Sequence, residues 1–248
     1  MSVYTQIRKW TAHQQRPCRT WAAGVACASL AGCDGRLSTL DPAGPAAHTI
    51  AQVWNVMAWG ALAILIFMLI LATLACCRRP AAQERPPLRL FLIGGGLVVP
   101  GVVLIALLVF GLRAGDARSP IPGGEDVYRV QVRAHQWWWE VAHPDAPGGP
   151  RYAINQIHVP AGVPVHISVT AADVIHGFWI PRLSGKIDAI PGRTNTIKVQ
   201  ADEPGVYDGV CAEFCGLHHT SMGMQLIAHS PTELPDALRG LSDTQVRP

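Results

Sequence analysis

Two long stretches without a single charged residue constrain this chain more than anything else in it. Residues 56–77 run for 22 positions with no charge, and residues 90–112 run for 23. About 20 apolar residues cross a bilayer as a helix. Hydrocarbon offers the backbone no hydrogen-bonding partner, so a helix, which satisfies its own, is the expected form. The spacing predicts a two-helix transmembrane hairpin with spans at about 54–77 and 90–112. Trp54 and Trp59 fit an interfacial aromatic belt at the start of the first span. Gly94, Gly95, Gly96 and Pro100 predict a kink or a close helix contact in the second. The connecting loop carries Arg78, Arg79, Arg85 and Arg89 against Glu84 alone. An excess of arginine marks the cytoplasmic side, which places both flanking regions outside.

The first 32 residues fit that orientation. Arg8, Lys9, Arg16 and Arg19 precede a short apolar run at 21–31 with no acid among them. Such a pattern is a secretory leader, too short to span. It ends in Leu30-Ala31-Gly32-Cys33, which resembles the bacterial lipobox. That resemblance implies a signal peptide over 1–32, cleavage before Cys33 and lipid on its thiol. Cys18 and Cys27 would leave with the leader, and Cys76 and Cys77 are read as inert membrane cysteines. The formal charge of +3 is therefore misleading, because from residue 117 onward ten basic residues face thirteen acidic ones. No basic nucleic-acid surface is expected. Only 15% of residues are charged, against about 25% in soluble domains, so a plain soluble enzyme is excluded too.

Beyond the second span the pattern changes. Residues 127–132, 163–169 and 194–199 alternate apolar and polar side chains and are rich in Val, Ile and Thr. Period-two runs between Pro, Gly and Asp turns predict an antiparallel sandwich or barrel over about 125–230. The tail from Pro231 is expected to be a helical turn or loose. Two cysteines remain in this exported part, Cys211 and Cys215. A disulfide is the default for such a pair. However, the surrounding stretch, Cys211-Ala212-Glu213-Phe214-Cys215-Gly216-Leu217-His218-His219-Thr220-Ser221-Met222, also supplies imidazole and thioether. Soft sulfur with imidazole suits copper, while zinc accepts Cys and His but is poorly served by Met. Copper, zinc and a disulfide all remain open on ligand chemistry alone.

The same twelve residues resemble the Cys-x-Glu-x-Cys-Gly-x-x-His-x-x-Met loop of subunit II of cytochrome c oxidase, position by position. Asp173-Val174-Ile175-His176 and the following Gly177-Phe178-Trp179-Ile180-Pro181 match that family, as do 186–193 and the Gln136-Trp137-Trp138-Trp139 stretch. The resemblance covers roughly 50–230. It implies a membrane-anchored all-β fold, with the helical hairpin over 33–113 followed by a cupredoxin-like Greek-key sandwich over 117–248. It implies binuclear copper (CuA) bridged by Cys211 and Cys215 and bound by His176 and His219. Met222 and the Glu213 carbonyl would be weak ligands, and the Glu213 side chain would reach magnesium shared with subunit I. Trp137 would be the point where electrons enter from cytochrome c. The expected setting is the bacterial cytoplasmic membrane with the copper domain in the periplasm, as one subunit of an oxidoreductase. This chain alone would not reduce oxygen.

Some residues have plainer roles. His218 competes with its neighbour, but spacing favours His219 as the ligand. Met224 is expected in the core, and His135, His143, His158 and His166 are expected to be ordinary surface or core histidines. Asp173 and Asp188 could be structural or interfacial. One departure concerns protons. The family often carries Glu about two turns before a Pro in the second span, whereas Ile93 stands seven before Pro100 and the span holds no acid. Proton uptake would then be fed from another subunit. A copper-bearing nitric oxide reductase subunit, a quinol-oxidase-type subunit II and a free cupredoxin carrier are the competing readings. Both cysteines weigh against the quinol type, and the spans weigh against a soluble carrier.

Overall fold

A computed structural model describes residues 35–77, 89–116 and 127–245. The leader, Cys33 and most of the arginine loop lie outside the described residues. Helix α1 runs Pro45–Cys77, 33 residues. It begins well before the predicted span because its first turn is not a lipid-facing segment. Ala46 and Ala47 are buried there, and a Cβ on Gly185 would lie 3.9 Å from Ile50 Cδ1. Small side chains let the helix start seat closely on protein.

The second span is not a uniform helix. Leu90–Val98 is π-helical, and α2 continues over Val99–Asp116. The widened turns cover the Gly94–96 run and end just before Pro100, which lacks a backbone N–H. The predicted irregularity is thus spread over nine residues. Both helices are long and apolar enough to cross a membrane, and their most hydrophobic windows are bare.

Ten strands form the remaining domain: β1 Tyr128–His135, β2 Trp138–His143, β3 Arg151–Ile154, β4 Gln156–Pro160, β5 Val165–Ala171, β6 His176–Trp179, β7 Ile187–Ala189, β8 Asn195–Val199, β9 Gly205–Cys211 and β10 Gly223–His229. They make two five-stranded sheets, in the orders β3-β2-β1-β5-β8 and β4-β10-β9-β6-β7. The expectation of a purely antiparallel sandwich needs correction. β1 pairs parallel with β5 and β4 parallel with β10, because the chain crosses between sheets before returning beside an earlier strand. A short helix α3, Leu234–Arg239, closes the tail.

Alternation places the core. β5 buries Val165, Ile167, Val169 and Ala171 and turns the residues between them outward. Val130, Val132, Trp139, Ile157, Phe178, Met224 and Leu226 meet them between the sheets. Asn155 makes the corner from β3 to β4 at φ +57°, a region Asn tolerates better than most residues. Its side-chain oxygen accepts from Trp139 N at 2.7 Å, and its own carbonyl accepts from Gln225 N at 2.8 Å. One residue thereby joins both sheets.

The stretch before α1 is strapped onto the sandwich. Arg36 pairs with Asp208 at 2.6 Å and Arg182 with Asp41 at 2.7 Å. Ala43 N donates to Arg182 O at 2.7 Å, and Asp202 N donates to Ala43 O at 2.9 Å. Gly44 lies so close to β8's exit that a Cβ would be 2.1 Å from Gln200 O.

Candidate metal centre

Residues far apart in sequence meet at one end of the sandwich. His176 opens β6, Cys211 closes β9, and Met222 immediately precedes β10. Cys211 N donates to Met222 O at 3.0 Å, pinching the intervening loop shut. Gly177 lets that loop approach β6, since a Cβ there would sit 2.8 Å from Ala212 C and Glu213 N. Ala212 N uses the space to donate to Gly177 O at 2.8 Å.

The two thiols are buried and free. Their sulfurs stand 3.8 Å apart, against about 2.05 Å in a disulfide. Each sulfur has its own imidazole: His176 Nδ1 lies 3.9 Å from Cys211 Sγ, and His219 Nδ1 lies 3.6 Å from Cys215 Sγ. Met222 Sδ is 3.7 Å from Cys215 Sγ, and the Cys211 thiol donates to the Glu213 carbonyl at 3.2 Å. The ligand atoms of His176, Cys211 and Cys215 all lie within 4.8 Å of one another. His219 lies beside the second sulfur. A 3-10 turn at His219–Ser221 separates the adjacent histidines. It turns His219 to the sulfurs and leaves His218 against Trp137.

Asp173 orients the first imidazole. Its carboxylate accepts from His176 Nε2 at 2.8 Å, Gln136 N at 2.7 Å and Val174 N at 2.6 Å. Holding Nε2 in this way leaves Nδ1 facing the sulfurs, the usual device for aiming a ligating histidine. Burial raises the Asp173 carboxyl, but these hydrogen bonds outweigh it and the net shift is downward. The thiols separate. Burial raises Cys211, yet hydrogen bonding from His176 and around Glu213 and Gly177 brings it down to about 6. Cys215 goes the other way, to about 11, through burial and the neighbouring Cys211. Without a cation one thiolate forms readily and the second resists. A bound cation would displace the remaining proton. This donor set of two thiols, two imidazoles, a thioether and a carbonyl fits copper.

Of the residues expected from the sequence, the structure brings His176, Cys211, Cys215, His219, Met222 and the Glu213 carbonyl together. The Glu213 side chain is exposed rather than turned to the sulfurs. The sequence left Asp173 open; the structure places its carboxylate on His176 Nε2. Gly177 and Gly216 stand in the matched motif stretches, but the close approach that calls for glycine there appears only once the loop is folded.

The fold and the site define a cupredoxin-like domain with a paired-cysteine loop that could hold a metal, attached to two helices of membrane length. Residues 151–228 match the family model described as cytochrome C oxidase subunit II, periplasmic domain. Cytochrome c oxidase subunit 2 of Alkalihalophilus pseudofirmus is 33% identical over 225 residues, covering 86% of this chain and 65% of that protein. The chain thus spans slightly less than two thirds of that relative. Quinol oxidase subunit 2 of Bacillus cereus is 26% identical over 227 residues, covering 87% of this chain and 76% of its own length. The crystal structure of the periplasmic domain of cytochrome oxidase subunit II from Bradyrhizobium japonicum shares 30% identity at a TM-score of 0.44, over 47% of this chain and 93% of that one. Residues 151–228 thus carry a periplasmic domain of the cytochrome c oxidase subunit II family.

Proposed function

We propose that this chain is the electron-accepting subunit of a respiratory cytochrome c oxidase. His176, Cys211, Cys215, His219 and Met222, with the Glu213 carbonyl, would hold a binuclear copper centre. The observation that carries this reading is the pair of sulfurs 3.8 Å apart, each with its own imidazole. When bound, such a copper pair supplies a one-electron relay whose charge is spread over two metals. The chain's own residues do the rest. Asp173 aims His176, the buried sulfurs exclude water, and the two sheets fix the ligands before any metal arrives. Trp137, hydrogen-bonded to Cys215 O at 3.3 Å, is where electrons from cytochrome c would enter. Subunit I would receive them and reduce oxygen. The exposed Glu213 side chain would reach magnesium at that subunit's surface.

This reading includes a cleaved leader over 1–32, lipid on Cys33, and two passes through the bacterial cytoplasmic membrane with the sandwich in the periplasm. The kinship with a quinol oxidase subunit 2 keeps a quinol donor in view. The complete set of sulfur and imidazole donors favours cytochrome c. Metal analysis of the purified full chain should find two coppers, with the electron resonance of one unpaired spin shared between them. One copper per chain, or a Cys211–Cys215 disulfide that excludes metal, would overturn the proposal.

A further inference from the structure

We propose that His218 is a positioning residue for Trp137, so that the metal loop itself fixes the indole through which electrons enter. This rests on the reading of Trp137 given above. Trp137 lies half-buried in the turn between β1 and β2, and three residues of the loop hold its ring. The indole N–H donates to the Cys215 carbonyl at 3.3 Å, and Gln136 Nε2 donates to the same oxygen at 2.8 Å. Gly216 lies alongside at φ +120°, where a Cβ would stand 3.3 Å from Trp137 Nε1 and Cζ2. His218 closes the third side, edge-on at 4.7 Å between centroids and 79° between planes.

His218 is exposed, so no burial holds it in place. It follows a glycine-permitted bend and precedes a residue turned to the sulfurs. That loop geometry sets its ring against the indole. The indole hydrogen bond is directional and weakens as the ring tilts. It ends on the carbonyl of a residue whose own sulfur belongs to the centre, so ring tilt bears directly on the link between Trp137 and Cys215. An edge-on aromatic contact changes the population of a held orientation by roughly two- to tenfold.

The test uses the copper-free full-length chain in detergent, labelled with 5-fluorotryptophan. Trp137→Phe identifies the Trp137 fluorine resonance by its loss. His218→Ala should shift or broaden that resonance alone, and His218→Phe, which keeps an aromatic edge, should restore it. In the assembled oxidase, His218→Ala should slow electron transfer from reduced cytochrome c by roughly two- to tenfold, with the copper absorption unchanged and His218→Phe near the original rate. An unmoved resonance in His218→Ala overturns the inference, as does a moved resonance with an unchanged rate. Equal losses in the Ala and Phe variants also overturn it. If Trp137→Phe leaves the rate unchanged, the reading of Trp137 itself falls. The fluorine spectra then still decide whether His218 positions the ring.

Discussion

Asp173 shows how much of the centre depends on a residue that offers no ligand atom. Its carboxylate binds the far nitrogen of His176 at 2.8 Å while two backbone N–H groups hold the carboxylate itself. Removing it frees the imidazole to rotate and to choose the other tautomer. Loss of an outer-shell partner of this kind typically costs 10–100-fold in metal affinity. Asp173→Ala should therefore weaken copper binding by roughly that factor in a competition titration with a chelator. Asp173→Asn, which can still accept from His176 Nε2, should lose less. Equal affinities for all three proteins would show that His176 is fixed by packing alone.

At the level of elements, the ends of β2 and β10 and the middle of β4 bring together His143, His229 and His158. His158 N donates to His143 Nε2 at 3.5 Å, and the His158 and His229 rings share a hydrogen bond at 2.9 Å. Burial pushes His143 down to about 3, helped by the charge of His158. Burial, then the charge of His229, holds His158 at about 4. A free histidine titrates near 6.5, so below that pH the unfolded chain binds more protons than the folded one. Stability is then complete above about pH 6.5 and falls as pH drops toward 3–4. The loss from His143 alone is on the order of 2–3 kcal/mol between pH 7 and pH 4.5. The thermal midpoint of the sandwich, followed by near-ultraviolet circular dichroism, should drop over that range. His143→Gln should show a flatter dependence, and an unchanged slope would exclude His143 as its source.

At the scale of the molecule, residues 36–48 fasten α1 to the sandwich. The strap is tied at both ends, by the Arg36–Asp208 ion pair and by a hydrogen bond between His48 Nε2 and Asp202. Its tightest point is Gly44, where a Cβ would lie 2.1 Å from the Gln200 carbonyl. Backbone cannot yield there as a flexible side chain could. Gly44→Val should lift the strap, and limited proteolysis should then cut within 35–44 at least about tenfold faster, the equivalent of roughly 1.4 kcal/mol in the closed state. Equal cleavage rates would show that the ion pairs suffice without the close approach.

Much of this protein was legible in its sequence because the signals are local. A charge-free run must be a helix if it meets lipid, and period-two alternation must put one face of a strand inside. The loop from Cys211 to Met222 carries five of the six proposed ligand positions within twelve residues. Other features depend on what lies across space, and only the tertiary structure decided them. The parallel pairings of β1 with β5 and β4 with β10 follow from the route between sheets, which alternation does not encode. The early start of α1 depends on protein seated against Ala46 and Ala47. Two adjacent histidines look alike in a sequence. One helical turn, and the indole it meets, sends His219 to the sulfurs and His218 to Trp137.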